Sequence, residues 1–477
     1  MNLLQETIGR ELNIPAISYK RSPIIENDRV QKIIDTFGYM GSDAPYRTQI
    51  RVSSEFSFKI GQINVISGPS GSGKTSILKS IKKQLKCDDG QADLPKLPND
   101  EQDDYIINLV GKNVKESICL LTSVGLGEGN LFLRQSSQLS DGQKFRMRLA
   151  LRLDNNQLPI ICIDEFGSKL DITTAKSLAI TLSKFVRKHN FILFVCCNNE
   201  EVADIFQPDT MIKLGYDYDV DVLYHQIHKN NLENIIVSKG SLSDYNKFRK
   251  YHYLDVDGRT ENAEILIALQ GQKQVGIQLL VPPLSQRRVN LHPYFAMINE
   301  KMITIHRIVV HPEYRARGVG SFLCDQGQKI LEKKIIEIRS TLFSFIPIPL
   351  QWGFQEYENS YFDARPEYNA VEKFVADHGY DPRKLIFREY NLNLLKHIDC
   401  EKLACLLKRD EDEKHIAQLF YYCDLMEKAG YGYEGDRTIL ANLLVSIDTV
   451  PKSEEEILSV LLKHTQVYYR SFYKINK

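Results

Sequence analysis

ISGPSGSGKT, residues 66–75, fits the pattern G-x-x-x-x-G-K-[ST] of loops that bind nucleotide phosphates. An apolar strand, Ile63–Ser67, precedes this loop, and the helical run SILKSIKKQLK follows it. Glycines let the backbone curl so that its N–H groups point at a phosphate, and the helix dipole favours anions. The sequence therefore predicts a nucleotide site in which Lys74 reaches the β- and γ-phosphates and Thr75 offers a hydroxyl to Mg²⁺. The backbone contacts are assigned to Gly68, Gly71 and Gly73.

A second apolar strand ends in two carboxylates. The run LPIICI, residues 158–163, is followed directly by Asp164 and Glu165. Downstream of a phosphate-binding loop, this pair predicts that Asp164 shares the Mg²⁺ site with Thr75. Glu165 is then placed to act as the general base that polarises the attacking water.

Apolar strands alternate with helical patterns in two separate stretches, which favours two α/β units. An acidic stretch, residues 87–105, interrupts the first unit and is predicted to be a solvated insertion. The last part of the chain has helical periodicity, and Ser453 with Glu456 forms a capping box for its final helix. We therefore divide the chain into a lead-in (1–35), a nucleotide-binding domain (36–215), a linker (216–233), a second α/β domain (234–390) and a helical C-terminal region (391–477).

Composition narrows the class of protein only slightly. The 477 residues include 61 Lys and Arg against 61 Asp and Glu, so bulk charge selects neither nucleic acid nor membrane as a partner. No apolar run approaches the roughly 20 residues that a spanning helix needs, and the first residues lack the features of a signal peptide. Several of the nine cysteines lie in apolar runs, which is typical of reduced core residues in a cytoplasmic protein.

LSDGQ, residues 139–143, lies between the phosphate-binding loop and the strand that ends at Glu165. In this order and spacing, residues 35–215 resemble the ABC-type ATPases, whose signature reads L-S-x-G-Q. The resemblance implies that ATP is held between two subunits, with the signature of one contacting the γ-phosphate bound to the other. One loop and one signature per chain then imply an ATP-dependent homodimer. The nucleotide contacts implied in this way are Tyr39, Ser140, Gly142, Gln143, Asp171 and Asn198.

Two of these assignments depart from the family pattern or leave an alternative open. Asn198 stands where the family usually has a switch histidine. An amide can hydrogen-bond a phosphate but cannot carry a proton, so we expect slow turnover. Tyr39 is assigned to stacking on adenine, with packing in the core as the open alternative.

ITIHRIVVHPEYRARGVG, residues 303–320, runs from a strand through a turn into a helix. Its segment R-x-x-G-x-G resembles the acyl-CoA loop, Q/R-x-x-G-x-G/A, of the GNAT family of N-acetyltransferases. N–H groups at such a helix start can bind the pyrophosphate of CoA. The acyl-CoA contacts implied by the resemblance are Val309, Val310, Arg315, Gly318, Val319 and Gly320.

The candidate general base is His306, on the strand that faces the acceptor in that family, because imidazole titrates near neutrality. A purely structural strand histidine is the alternative, and His252 is a second candidate base. Residues 369–380 resemble the later GNAT segment N-x-x-A-x-x-x-Y-x-x-x-G-F. Phe374 lies near the place of its general-acid tyrosine, and Tyr368 is the nearest substitute.

The whole chain resembles a small family of ABC-type ATPases with a C-terminal acetyltransferase domain, found in archaea, bacteria and phages. The implied fold is an α/β P-loop ABC-type nucleotide-binding domain, then a GNAT α+β acyltransferase domain and a helical C-terminal extension. The functional hypothesis is an ATP-dependent or ATP-regulated N-acyltransferase that uses ATP, Mg²⁺ and acetyl-CoA or another acyl-CoA to acylate an amine. The alternative is an ABC-type clamp on DNA or RNA, with a degenerate acyltransferase domain used for binding.

Nucleic acid is a candidate acceptor for two reasons. The acyltransferase half loosely resembles the phage Mom DNA-modification proteins. Residues 463–477 also mix aromatic and cationic side chains and contain no acidic one. Aromatic rings can stack on bases while cations neutralise phosphates. A helix packed by its aromatic side chains, with a solvated basic face, is the alternative for this tail.

Overall fold

The structure, a computed structural model, divides into two compact units. One unit contains residues 1–233 and 312–317, and the other contains residues 234–311 and 318–477. The residues it describes are 11–12, 17–18, 27–37, 49–52, 56–57, 59–85, 87, 92–98, 104–155, 158–215, 219–224, 234–249, 251, 263–340, 346–357, 370–446, 449–464 and 470–475.

The first unit is built on a seven-stranded sheet in which most neighbouring strands are parallel. Its strands are β2 (Ile17–Ser18), β3 (Gln49–Val52), β5 (Ile63–Ser67), β6 (Ile160–Phe166), β7 (Ile192–Cys197), β8 (Thr210–Leu214) and β9 (Asp219–Tyr224). They lie in the order β2-β3-β9-β8-β5-β7-β6. A separate two-stranded ladder joins β1 (Glu11–Leu12) to β4 (Phe56–Ser57). Every residue of β5 and β7 is buried, as expected for parallel strands that are covered on both faces.

Helices cover both faces of this sheet. Ile63 and Val65 enter one buried cluster and Ile66 enters another, so the alternation of a strand divides the apolar side chains between two cores. The cysteines that were predicted to be core residues, Cys162 and Cys196, are buried. The helices are α1 (Asp28–Phe37), α2 (Lys74–Gln84), α3 (Ile106–Leu109), α4 (Val114–Ser123), α5 (Gly129–Phe132), α6 (Asp141–Asp154), α7 (Ile172–Lys188) and α8 (Glu200–Ile205).

Two stretches of this unit differ from the sequence expectation. Within the predicted linker, β9 pairs with β8 and with β3 and is part of the sheet. The described part of the acidic stretch is packed rather than solvated, because Ala92 is buried and its carbonyl accepts a hydrogen bond from the Cys162 amide at 2.8 Å. Asp93 in that stretch forms an ion pair with Lys82 at 2.8 Å.

The second unit contains another seven-stranded sheet, in which one pair of neighbouring strands is parallel and the others are antiparallel. Its strands are β10 (Ile235–Lys239), β11 (Glu264–Gln270), β12 (Lys273–Val281), β13 (Met302–Val310), β14 (Ile335–Ser340), β15 (Gln355–Glu356) and β16 (Arg470–Ile475). They lie in the order β10-β11-β12-β13-β14-β16-β15, and the parallel pair is β13 with β14. The second α/β stretch predicted from the sequence is confirmed, since residues 234–390 contain β10–β15.

Ten helices of the described residues belong to the second unit. They are α9 (Leu242–Arg249), α10 (Gln286–Val289), α11 (Pro293–Lys301), α12 (Val319–Leu331), α13 (Ile348–Gln351), α14 (Ala370–Asp377), α15 (Arg388–Leu395), α16 (Cys400–Lys428), α17 (Arg437–Val445) and α18 (Glu454–His464). The predicted capping box of α18 is confirmed, since the Glu456 amide donates to Ser453 Oγ at 3.2 Å and Glu456 Oε2 accepts from the Ser453 amide at 3.3 Å. Along the described parts of the chain, no helix has both the length and the apolar character that crossing a membrane requires.

The C-terminal region is not helical throughout. Its strand β16 lies between β14 and β15, and α14–α18 are therefore an insertion between two neighbouring strands of the sheet. Phe472 is fully buried opposite Ile338, and Tyr473 is nearly so. The expectation of an aromatic, cationic tail that is open to nucleic acid is therefore wrong for residues 470–475, because a central strand buries these rings in the sheet.

We predict that Phe472→Ala destabilises the second unit by about 3–5 kcal/mol, since it removes a fully buried aromatic side chain from a central strand. Phe387→Ala is the matched control, because that ring is 57% exposed. Thermal unfolding followed by calorimetry should show a lowered transition in the first variant only. Equal melting profiles for the two variants would contradict the position of β16.

Candidate functional site

The phosphate-binding loop joins the end of β5 to the start of α2. Its glycines adopt positive φ angles that side chains resist, +155° at Gly68, +82° at Gly71 and +98° at Gly73. At Gly68 a Cβ atom would also lie 2.6 Å from the carbonyl oxygen of Leu214. Gly73 is the N-cap of α2 and has no side chain with which to cap the helix start. The positive end of the α2 dipole therefore faces the loop, which favours an anion there.

The side chain of Lys74 is hydrogen bonded to the backbone of this loop. Its Nζ donates to the carbonyl oxygens of Gly68 at 2.8 Å and Pro69 at 2.6 Å, and the residue is 7% exposed. Burial lowers the pKa of Lys74. Phosphate oxygens of a bound nucleotide can replace the two carbonyls as acceptors, so the lysine is held where its predicted role requires it.

Thr75 and Asp164, the two predicted Mg²⁺ ligands, lie together. Thr75 Oγ1 donates to Asp164 Oδ2 at 2.8 Å. The β6–β7 register shifts between Ile163 and Phe166, and both intervening carboxylates are exposed at this edge of the sheet. A hydroxyl and a carboxylate are hard oxygen donors, which fit Mg²⁺.

Glu165 has a backbone conformation that is unusual for a side-chain-bearing residue. Its φ is +52°, in the left-handed region, which costs of order 1–3 kcal/mol. Asn198, the predicted switch residue, follows directly after β7 and is exposed. Because β5, β6 and β7 are parallel neighbours, Glu165 and Asn198 lie at the same edge of the sheet as the phosphate-binding loop.

The residues of LSDGQ and Asp171 lie at the starts of two helices, α6 and α7. Ser140 and Gln143 form a capping box for α6, in which the Gln143 amide donates to Ser140 Oγ at 3.3 Å and the Ser140 amide donates to Gln143 Oε1 at 3.0 Å. A Cβ atom at Gly142 would lie 2.9 Å from the Lys169 carbonyl oxygen, so only glycine fits without a shift. Asp171 caps α7 through the Thr174 amide; burial acts to raise the pKa of Asp171, but the Thr174 hydrogen bonds outweigh it and lower that pKa.

The turn between β13 and α12 repeats the strand–loop–helix arrangement. Gly318 has a φ of +92° and is the N-cap of α12, as Gly73 is of α2. Val319 is buried, and its Cγ1 would lie 3.0 Å from a Cβ atom at Gly276. The absence of a side chain at Gly276 therefore lets α12 approach β12 closely. Arg315 is exposed, and its amide donates to the Pro312 carbonyl at 3.2 Å.

His306 is the extra residue of a β-bulge. In the β12–β13 ladder, Leu279 opposes Arg307 and Leu280 opposes Ile305, so no residue of β12 faces His306. His306 is exposed, whereas Arg307 is buried and donates a hydrogen bond to the Tyr245 hydroxyl. The predicted acyl-CoA contacts Val309 (buried) and Val310 (half-buried) end the same strand.

The parallel pair β13–β14 separates beyond its fourth residue pair. The ladder of described residues runs from Met302 and Ile335 to Ile305 and Ile338, while β13 continues to Val310. From His306 onward the described residues of β13 and β14 are no longer paired with each other, and we infer that a cleft begins at this level.

A buried polar network lies directly before this cleft, and the sequence analysis missed it. Glu337 is fully buried, accepts a hydrogen bond from Thr304 Oγ1 at 2.7 Å and pairs with Arg339 Nε at 3.1 Å. The signal was available in the run IIEIRS, where two opposite charges occupy alternate positions of an otherwise apolar strand. Opposite charges on one face of a strand are close enough to pair.

Some predicted residues lie elsewhere or outside the described residues. The segment that resembles N-x-x-A-x-x-x-Y-x-x-x-G-F contains α14, where Phe374 packs in an apolar cluster with α15, α16 and α18. Gly353 and Phe354 follow α13 and lead directly into β15. The remaining predicted residues, Tyr39, His252 and Tyr368, lie outside the described residues.

Two protein families match separate parts of the chain. Residues 53–167 match the family described as ABC transporter, and residues 236–343 match the acetyltransferase (GNAT) family. The first match contains the phosphate-binding loop, LSDGQ and Asp164–Glu165, and it ends before Asp171 and Asn198. No curated protein sequence matched the chain.

Solved structures, among them two from ABC transporters, are also similar to parts of this chain. The dimeric bacterial ABC transporter cassette MJ0796 is 18% identical, with 46% of this chain and 99% of that chain covered and a TM-score of 0.31. The protein cbiO1 from Clostridium perfringens, part of an ABC transporter complex, is 14% identical, with 37% and 83% covered and a TM-score of 0.29. The RNase-L inhibitor is 20% identical, with 35% and 34% covered and a TM-score of 0.28.

We predict that Lys74→Ala weakens ATP binding by at least about tenfold, or ~1.4 kcal/mol, because it removes the buried ammonium of the loop. Acetyl-CoA binding should be unchanged, since the loop at Gly318 is formed by other residues. Titration calorimetry measures both ligands, and Lys79→Ala, on the exposed side of α2, is the matched control. An equal loss of affinity for acetyl-CoA would contradict the assignment of two separate phosphate sites.

Proposed function

Since the chain joins an ABC-type ATPase domain to a GNAT-family acetyltransferase domain, we propose that it is an ATP-regulated N-acyltransferase. The observation that carries the proposal is the repetition of one anion-binding device in a single chain. Gly73 and Gly318 each begin a helix directly after a strand, both with positive φ angles. One device suits the phosphates of ATP and the other suits the pyrophosphate of CoA.

In the first domain, Lys74 and the loop glycines bind the phosphates of ATP. Thr75 and Asp164 would hold Mg²⁺, which would neutralise charge on the phosphates. Glu165 accepts a proton from the water that attacks the γ-phosphorus. Asn198 hydrogen-bonds the γ-phosphate without exchanging a proton, and turnover is therefore slow.

In the second domain, the acyl thioester lies along the end of β13 and reaches the cleft at the level of His306. His306, directly or through a water molecule, takes a proton from the acceptor ammonium. The neutral nitrogen attacks the thioester carbonyl, the C–N bond forms and the C–S bond breaks. The leaving CoA thiolate takes up the proton that the nitrogen loses as it becomes an amide, and His306 gives its proton to solvent. The exposure of His306 at a bulge supports this role, because the side chain can reach an acceptor that enters from solvent.

We further propose that ATP brings two copies together. The single phosphate-binding loop and the single LSDGQ of each chain support a homodimer in which each signature completes the partner's ATP site. ATP binding would then control acyl transfer through this association. We place the protein in the cytoplasm, where cysteine thiols stay reduced. Burial raises the pKa of Cys196, which keeps its thiol unreactive.

The acceptor is proposed to be an amine, and the residues that suggested nucleic acid no longer support that acceptor. The tail that suggested nucleic acid supplies β16, and Phe472 and Tyr473 are buried where they cannot stack on bases. The rival function, an ABC-type clamp whose acyltransferase fold only binds, differs in one measurable respect. It transfers no acetyl group to any amine.

We predict that Glu165→Gln traps the ATP-bound dimer, because nucleotide binding survives while the water loses its base. Light scattering in ATP and Mg²⁺ should report twice the mass of the chain for this variant. Lys74→Ala is the negative control and should stay monomeric. A monomeric Glu165→Gln protein with ATP bound would contradict the proposed dimer.

We predict that His306→Ala lowers kcat for acetyl transfer by about 100-fold and leaves ATP hydrolysis unchanged. The assay follows radiolabelled acetyl from acetyl-CoA to a panel of primary amines, with and without ATP. His397→Ala, an exposed histidine of the helical insertion, is the matched control. An unchanged kcat would exclude His306 as the base, and no transfer by the unaltered protein would favour the clamp.

A further inference from the structure

The segment that leads into the acyl-CoA turn belongs to the ATPase unit. Residues 312–317 are part of the first compact unit, and the second unit resumes at Gly318. The segment begins with a 3₁₀ helix, Pro312–Tyr314, which packs against α7 of the first unit, and Tyr314 is buried. The backbone that enters the glycine turn is therefore held by a helix of the ATPase.

Lys184 of α7 is hydrogen bonded to this segment. Its Nζ donates to the carbonyl oxygen of Ala316. Ala316 has a φ of +61°, in the left-handed region that a residue with a side chain keeps only where its surroundings hold it. The lysine thus fixes an unusual backbone conformation two residues before Gly318, the N-cap of α12.

Lys176, on the same helix, is shared between two carboxylates. Its Nζ lies 3.6 Å from Glu313 Oε1 of the segment and 2.7 Å from Glu201 Oε2 of α8. The Lys176 and Glu313 side chains are 16% and 23% exposed, so solvent screens this pair only partly. Lys176 and Lys184 are eight residues apart, about two turns, and so lie on the same face of α7.

The partners of Lys176 lead back to the predicted ATP contacts. Asp171, the N-cap of α7, precedes Lys176 by five residues. Glu201 lies in the first turn of α8, three residues after Asn198. A nucleotide that displaces Asp171 or Asn198 therefore also shifts the groups between which Lys176 is held.

We propose that Lys176 and Lys184 are positioning residues for the acyl-CoA turn, and that through them α7 lets ATP control acyl-CoA binding. The inference rests on the proposed acyltransferase function and names the site at which it is regulated. Both lysines act through the backbone of residues 312–317, which sets the direction of the N–H groups at the start of α12. They take no part in the transfer itself.

Titration calorimetry with acetyl-CoA tests the positioning role. Lys184→Ala should raise the Kd for acetyl-CoA about tenfold, or ~1.4 kcal/mol, because Ala316 loses a charged hydrogen-bond donor. The Kd for ATP and the kcat at saturating acetyl-CoA should be unchanged. Lys184→Arg, which keeps a charged donor, should retain most of the affinity, and Lys188→Ala, an exposed lysine of the same helix, is the matched control.

A second titration tests control by ATP. A non-hydrolysable ATP analogue with Mg²⁺ should change the Kd for acetyl-CoA at least about fivefold, and acetyl-CoA should change the Kd for the analogue by the same factor, because coupling between two ligands is reciprocal. Lys176→Ala and Glu313→Gln should each lose this coupling. The double variant should lose no more than either single variant, since the two residues act as one pair.

The outcomes separate this inference from the proposed function. Equal Kd values for acetyl-CoA in the unaltered protein and both lysine variants, with the same response to the analogue, would overturn the inference and leave the acyltransferase standing. A raised Kd in Lys184→Ala without any response to the analogue would overturn control by ATP through α7. A raised Kd in a protein that transfers acetyl to no amine would support the positioning role and overturn the acyltransferase.

Discussion

An anion held by a protein backbone needs N–H groups that converge on one point, and both halves of this chain meet that need at the junction of a strand and a helix. At each junction the helix begins with a glycine whose φ lies near +95°, Gly73 in one half and Gly318 in the other. The glycine turns the chain so that the helix points its positive end at the loop. The strands around each junction then determine which side chains would surround a bound phosphate.

These surroundings differ because the two sheets differ. In the first, parallel neighbours bring the ends of β5, β6 and β7 to one edge, and Thr75, Asp164 and Asn198 meet there. In the second, a bulge and the end of the β13–β14 pairing lie beside His306. The first arrangement suits attack by water on a phosphate, and the second suits attack by an amine on a thioester that lies along a strand.

Sequence patterns that are local along the chain predicted the structure well. The loop at residues 66–75, the carboxylates at the end of β6 and the turn into α12 each combine a strand, a loop and a helix within about 20 residues, so their spacing carries the geometry. Pairings between distant residues were missed. Nothing near Phe472 indicates that its strand inserts beside β14, and the buried pair of Glu337 and Arg339 depends on Thr304 of another strand. The segment at 369–380 resembles a family motif, yet its helix α14 lies in the insertion. Likeness to a motif alone does not specify a position relative to the sheet.

The position of β16 has a consequence for how the protein is made. A ribosome releases residues 1–233 long before residues 470–475, so the ATPase sheet can form early during synthesis. The sheet of the second unit cannot be completed until the helical insertion has been synthesised. Only then can β16 pair between β14 and β15. During that interval two strand edges stand open to mispairing with other nascent chains. Chaperone demand in the cell should therefore depend on the second half of the chain, and a truncated translation product would retain the nucleotide-binding domain alone.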